Sequence, residues 1–424
     1  MKKKYLLSLI LLFTSLSLSS CTLLNDDDLA YTNEYHPGEE ESPVDPSTPH
    51  IGDVYGVRTS EVPNAYAYKN VDYSTNGKIL NTYKGSGIGG FYINNNEDYG
   101  PLLSGYNYDL YVPDSTPRDN PHKLILFIHG GAWVTGLKSD VNTYVHEFAN
   151  KGYITATIKY SLLKRSMDDN SLSIFRNLDE IEACLKSIKS ALSSLGFNTN
   201  HTKLVIGGAS SGAHLAMLYA YSRLSACPFP ISFIIDAVGP VDIKEECWRS
   251  FDTSTEAIRS DLSYSAIQTQ LSNLDNLHIS GEDAGVYWNK YQTLRIANGM
   301  CGIPSSLNDI EATTDSNKAD ILYPNDASKL MTDPNGGEDL LSVSYWINKN
   351  SDSINIPIVG AYAGNDTVVG INQAATLDKA CLDNSIEHTF YYFKNSDHTE
   401  INETADPNMY QAFISTIDEW CQNK

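Results

Sequence analysis

The chain alternates short apolar runs with longer stretches in which apolar residues recur every three or four positions. Residues 123–129 (KLILFIH), 203–207 (KLVIG) and 231–238 (ISFIIDAV) are near-continuous apolar runs, the pattern of strands buried on both sheet faces. Residues 153–159 (YITATIK), 356–363 (IPIVGAYA) and 388–393 (HTFYYF) predict three further strands. Between them, Ile174, Leu178, Ile181, Leu185, Ile188, Leu192 and Leu195 are spaced 4-3-4-3-4-3. That spacing makes one apolar helix face, with Gly196 as its expected C-cap. A second helix is expected from Ser211 to about Leu224, and a last one carries Tyr410, Phe413, Ile414, Ile417 and Trp420. Strands alternating with helices predict an α/β fold with a mostly parallel central sheet and helices on both faces. Residues 109–113 (DLYVP) predict an antiparallel edge strand.

The pattern fails in three places. Lys2, Lys3 and Lys4 precede an apolar stretch from Tyr5 to Leu18, which is short for a membrane span and long enough for a signal sequence. Residues 21–50 hold Asn25-Asp26-Asp27-Asp28 and Glu39-Glu40-Glu41 and cannot bury a core, so they read as an acidic linker. Residues 51–104 are rich in Tyr, Asn and Gly with weak periodicity, and are expected to wrap the main domain, residues 105–424, as an N-terminal extension. Within that domain, residues 243–353 contain no clean strand, although residues 284–300 have a helical pattern. A long insertion between late strands lies where a lid over a site would sit; a decorative subdomain is the other reading.

Composition narrows the function classes. The chain has 424 residues, with 52 acidic against 30 basic side chains and a formal charge of −22. Phosphate binding needs clustered Lys and Arg, so nucleic acid is not an expected partner. Of seven Cys, none forms a CxxC pair or a zinc-spaced Cys/His cluster, so no metal is expected. Disulfides among Cys184, Cys227, Cys247, Cys301, Cys381 and Cys421 stay open; Cys381 and Cys421 lie on two late helices that could pack together.

The chemistry is concentrated at two strand ends. The run at 203–207 leads into Gly208-Ala209-Ser210-Ser211-Gly212, after which a helix begins. This G-x-S-x-G sits in the strand-turn-helix setting that exposes a serine hydroxyl on a sharp turn. Side chains two residues before and after that serine would collide, hence Gly208 and Gly212. The following helix aims its free N–H groups at the same point. Upstream, residues 123–129 end in His129-Gly130-Gly131-Ala132-Trp133. The N–H groups of Gly130 and Gly131, with that of Ser211, can hold a developing alkoxide. His129 reads as a loop-shaping residue rather than a base.

Together these motifs resemble the α/β-hydrolase superfamily, and within it the HGG-type carboxylesterases and acyl-sugar (acetyl or feruloyl) esterases. The likeness covers about residues 105–424 without the insertion. Two departures stand out: Ala132 at the fourth place of the HGGG pattern, and Lys159-Tyr160-Ser161 where relatives often carry Asp-Tyr-Arg. The resemblance implies the order serine, acid, histidine. The acid is expected after the family's seventh strand, at 356–363. Asp366 fits there, with Asp242 as its rival. The histidine is expected after the next strand, where His398 stands; His388 lies at the wrong end of that strand, His214 inside a helix, and Asp397 is expected to point elsewhere. The implied catalytic set is Ser210, Asp366 and His398, with no metal or organic cofactor. The N-terminus, ending Leu18-Ser19-Ser20-Cys21, resembles a bacterial lipoprotein signal, which implies removal of residues 1–20 and acylation of Cys21. Such a tether would place the domain outside the cytoplasm on a membrane. The acidic run after Cys21 also resembles export tags of surface lipoproteins; a plain solvated spacer is the equal alternative. The expected activity is a serine esterase acting on acylated carbohydrate or other small esters. A serine peptidase of the same fold and a non-catalytic binding lipoprotein are the alternatives. Oligomeric state is not legible.

Overall fold

The computed structural model describes residues 48–73, 106–131, 133, 136–161, 174–242, 341–366 and 368–424. The signal segment, Cys21, most of the linker, Ala132, Cys247, Cys301 and residues 243–340 of the insertion, with its expected helix at 284–300, lie outside the described residues.

A small hairpin, β1 (His50–Ile51) and β2 (Val54–Tyr55), precedes the main sheet. That sheet contains β3 (Ala65–Asp72), β4 (Asn107–Pro113), β5 (His122–Ile128), β6 (Ile154–Ile158), β7 (Thr202–Ala209), β8 (Ile231–Ala237), β9 (Ile358–Ala363) and β10 (His388–Phe393). The strand order is β10-β9-β8-β7-β5-β6-β4-β3. Neighbours from β10 across to β6 run parallel, β4 runs antiparallel to β6, and β3 antiparallel to β4.

The apolar runs are explained by burial on both faces. In β5, Leu124, Leu126 and Ile128 enter one core layer, while Ile125 and Phe127 enter the other. The first layer is roofed by α2 (Ile174–Ser194), α3 (Ser211–Ser222), α4 (Val343–Lys349) and α5 (Ile371–Asp383). The second is covered by α1 (Asn142–Asn150) and α6 (Pro407–Asn423). The predicted stripe on α2 is buried from Ile174 through Leu192. Helix α3 is apolar on every side and buried from Ser211 to Tyr221. It is therefore held by tertiary packing all round rather than by an amphipathic face.

Three expectations need correction. Residues 109–113 do not form the edge, because β3 pairs outside β4. Part of the extension at 51–104 is thus a strand of the sheet and not a wrapping arm. The insertion ends earlier than 353: Leu341, Val343 and Ile347 are buried in the first core layer. The chain leaves and re-enters at one point, where the Val343 N–H donates to the Val241 carbonyl at 2.7 Å. Gln373 clamps the exit, its Oε1 accepting from the N–H groups of Val241 (2.7 Å) and Asp242 (2.9 Å). Cys381 and Cys421 are free, and they sit in opposite core layers. Helix α5 crosses from β9 to β10 over one face, and α6 folds back over the other, so the sheet separates the two thiols.

His388 opens β10, with Nε2 at 2.7 Å from Asp378 Oδ1 and Nδ1 at 2.8 Å from the Ile386 carbonyl. Burial opposes charging the ring, but the Asp378 carboxylate and the carbonyl outweigh it and raise its pKa. The folded value exceeds the unfolded one, so this stabilisation is complete below about pH 6.5 and is lost as pH rises through the folded value. His388→Gln is expected to cost on the order of 1 kcal/mol in urea unfolding at about pH 5.5, and less at about pH 9. A deficit that grows with pH would contradict this.

Candidate active site

The carboxyl ends of β5, β7, β9 and β10 open on the same edge of the sheet, where doubly wound sheets bind ligands. Strand β5 is flanked by β6 on one side and β7 on the other, so the chain switches direction there. The loops after β5 and β7 meet across that crevice.

Ser210 occupies the turn between β7 and α3, at φ 53 and ψ −123. Two close approaches make this turn possible. A Cβ on Gly212 would overlap the carbonyl oxygens of Ile128 and His129, and one on Gly208 would overlap the backbone of Gly212 and Ala213. The start of α3 is thereby pressed against the exit of β5. The Ser210 N–H is used by the Ala237 carbonyl at 2.8 Å. The N–H of Ser211, in the first turn of α3, has no intrahelical acceptor by position.

The β5 loop lies directly against this turn. A Cβ on Gly130 would stand 2.9 Å from the Ala209 carbonyl oxygen and 3.1 Å from Ser210 Cβ. The loop then twists through Gly131 (φ 114) and Trp133 (φ 62). His129 is buried, its Nδ1 donating to the Gly130 carbonyl at 2.8 Å. Its ring stacks on Tyr160 at 4.3 Å, and the Tyr160 hydroxyl donates to the His129 carbonyl at 3.1 Å. Burial pushes the His129 imidazole down to about 4, so it is neutral near pH 7 and braces the loop.

His398 lies after β10 and bridges two groups. Its Nε2 is 2.8 Å from Ser210 Oγ, and its Nδ1 is 2.7 Å from Asp366 Oδ2. A carboxylate oxygen only accepts, so Nδ1 carries the proton and Nε2 faces the serine hydroxyl as acceptor. The Asp366 side chain is fully buried and that of His398 is 9% exposed, which keeps bulk water from competing for the pair. The other oxygen of Asp366 accepts from the N–H groups of Val368 and Val369, each at 2.8 Å. Three donors thus hold the carboxylate in its dry position.

The structure brings Ser210, Asp366 and His398 together and sets Gly130 beside Ser210. The rivals are engaged elsewhere. Asp242 accepts from the Ser342 hydroxyl at 2.7 Å. His214 is buried, with Nε2 donating to the Leu341 carbonyl at 2.7 Å, and burial pushes it down to about 4. Asp397 accepts from the Thr399 N–H at 2.8 Å and hydroxyl at 2.9 Å. The bracing role of Tyr160 and the clamp by Val368 and Val369 were not foreseen. The second had a signal, since an Asp that accepts from N–H groups two and three residues on is a turn-forming pattern.

The family model described as BD-FAE matches residues 108–273. The non-reducing polyketide synthase adrD of Penicillium rubens is 29% identical over 169 residues, 37% of this chain. Atr1 of Stereocaulon alpinum, another non-reducing polyketide synthase, is 25% identical over 139 residues, 32% of this chain. In each case the match spans 6% of the relative's own length. Among solved structures, esterase B from Lactobacillus rhamnosis superposes with a TM-score of 0.50 at 13% identity, covering 85% of this chain and 87% of that one. A truncated carbohydrate esterase from gut microbiota gives 0.50 at 13% identity, covering 87% of this chain and 100% of that one. The fold is the α/β-hydrolase fold.

The glycine contacts generate a stability test. Gly212→Ala is expected to destabilise by about 1–3 kcal/mol in thermal or urea unfolding, because backbone must move to admit the methyl group. Gly52→Ala, where a Cβ meets nothing within 4 Å and only the positive φ of 56 opposes it, is the control. Its cost is expected to be roughly 1 kcal/mol. Equal losses would show that the close approach at Gly212 is not what the turn depends on.

Proposed function

We propose that this chain is a serine ester hydrolase that works through an acyl-enzyme, with Ser210, His398 and Asp366 as nucleophile, base and orienting acid. The observation that carries the reading is the position of His398, within hydrogen-bond reach of both Ser210 Oγ (2.8 Å) and Asp366 (2.7 Å). Nucleophile, base and orienter in one chain of hydrogen bonds is the arrangement acyl transfer needs.

Ser210 Oγ attacks the acyl carbon while its proton passes to His398 Nε2. The carbonyl electrons move onto oxygen, and the N–H groups of Gly130, Gly131 and Ser211 stabilise that charge. Donors of this kind contribute typically ~2.7–4 kcal/mol each to lowering the barrier. The C–O bond to the alcohol breaks, and the leaving oxygen takes the proton from His398. Water then adds to the acyl-enzyme, giving a proton to His398 that returns to Ser210 as the acid departs. Asp366 fixes the tautomer and stabilises the imidazolium in each half.

We extend the reading to placement and substrate class. The signal-like N-terminus ending at Cys21 supports a lipid-anchored enzyme outside the cytoplasm, where acylated carbohydrate or other small esters are the substrates that suit a tethered esterase. A truncated carbohydrate esterase from gut microbiota, which has the same fold, is in keeping with that class.

Hydrolysis of p-nitrophenyl acetate tests the reaction. Ser210→Ala is expected to lower kcat by roughly 10⁶-fold and Asp366→Asn by roughly 10⁴-fold, with folding retained. Absence of turnover on any short acyl ester, together with no labelling of Ser210 by a fluorophosphonate, would favour a binding protein that kept the fold.

Acidity gives a second test. His129 and His214 stay neutral above about pH 5 because burial holds both near 4. Activity is expected to fall on acidification, since a protonated imidazole cannot act as base. A rate that does not fall on acidification would count against His398 as the base.

A further inference from the structure

Asp236 is the penultimate residue of β8, wholly buried, and takes no part in the steps above. Its Oδ1 accepts from the Gly239 N–H at 2.8 Å, and its Oδ2 accepts from the Tyr362 hydroxyl on β9. Burial pushes this carboxyl up to about 7, so the fold retains it against a desolvation cost.

The turn it closes is strained. Val238 has φ 50, a conformation that β-branched residues rarely adopt. Immediately before it, the Ala237–Val238 peptide is held from both sides. Its carbonyl accepts from the Ser210 N–H at 2.8 Å, and its N–H donates to the Ala361 carbonyl on β9 at 2.8 Å. Beyond β9, the N–H groups of Gly364 and Asn365 donate to the carbonyls of Phe393 and Ser396, each at 2.9 Å. Four backbone hydrogen bonds therefore run from Ser210 through β8 and β9 to the segment that carries His398. Asp236 is the side chain that clasps the strained link, joining Gly239 beyond the turn to Tyr362 on β9.

We propose that Asp236 is a positioning residue for the Ser210 site: by fastening the turn at Val238 it sets the spacing between Ser210 and the His398–Asp366 pair. This rests on the hydrolase reading above. Without the carboxylate, Val238 can relax to an ordinary φ, the Ala237–Val238 peptide rotates, and its grips on Ser210 and Ala361 loosen. A small misplacement of this kind falls on the chemical step and leaves ground-state binding nearly intact.

The test compares wild type, Asp236→Ala, Asp236→Asn and Tyr362→Phe in steady-state hydrolysis of p-nitrophenyl acetate, with folding checked by circular dichroism. Asp236→Ala is expected to lower kcat by about ten- to a hundredfold with KM changed by less than about twofold. Asp236→Asn keeps an acceptor for the Gly239 N–H and is expected to recover most of that loss. Tyr362→Phe, which removes only the hydroxyl and its donor, is expected to lower kcat by about threefold. A purely structural role would lower the melting temperature and leave kcat of the folded enzyme unchanged. A folded Asp236→Ala with kcat within about twofold of wild type overturns the inference. If Asp236→Ala does not fold, Tyr362→Phe decides, and an unchanged kcat there overturns it equally. An inert wild type that also resists fluorophosphonate labelling is a different result: it removes the hydrolase reading, and this inference with it.

Discussion

A non-glycine residue held at positive φ costs of order 1–3 kcal/mol, and the site pays it at Ser210, φ 53. The turn persists because its surroundings leave it no alternative. Behind it, α3 is buried on all sides and cannot shift. Beneath it, Gly208 and Gly212 let the helix start touch the exit of β5. Beside it, the Ser210 N–H is tied to β8. The strain lifts the hydroxyl clear of the sheet, toward the one direction from which His398 can meet it.

The same economy governs the polar groups. A buried carboxylate is expensive unless its lone pairs are satisfied. Asp366 meets that condition with two backbone N–H groups and the His398 ring, and Asp236 meets it with Gly239 and Tyr362. Both carboxylates are acceptors at the ends of adjacent strands. One touches the imidazole directly. The other acts on backbone that leads to it. His129 and His214, which share the neighbourhood, are kept neutral by burial and serve as donors to carbonyl oxygens. Among the described residues the site thus contains three imidazoles, of which His398 alone faces the Ser210 hydroxyl.

The strands at 123–129, 203–207 and 231–238 were legible because burial on both faces demands unbroken apolar runs. The stripe on α2 was legible for the complementary reason, one face buried and one wet. The edge of the sheet was not. Residues 65–72 alternate weakly, and what makes them a strand is the open backbone of β4, a partner distant in sequence. The end of the insertion was misjudged because Leu341, Val343 and Ile347 are too few to show a period, and their burial comes from α3 and α5. Whether the helices of Cys381 and Cys421 pack together was not legible, because helical periodicity says which face of a helix is buried but not which side of the sheet it covers.

The candidate site divides along the same line. Chain chemistry by itself determined the parts that are local, the glycine-flanked serine turn and the paired glycines after β5, while the acid and the histidine after late strands were implied by the family resemblance. These are legible because steric exclusion and strand-to-helix turns act over a handful of neighbouring residues. Only the tertiary structure set Asp366 rather than Asp242 against the His398 ring, and joined Ser210 to β9 through the Ala237–Val238 peptide. Those decisions depend on distances across the sheet between residues on different strands, from 32 positions apart for His398 and Asp366 to 188 for His398 and Ser210, and such distances exist only once the strands have found their order.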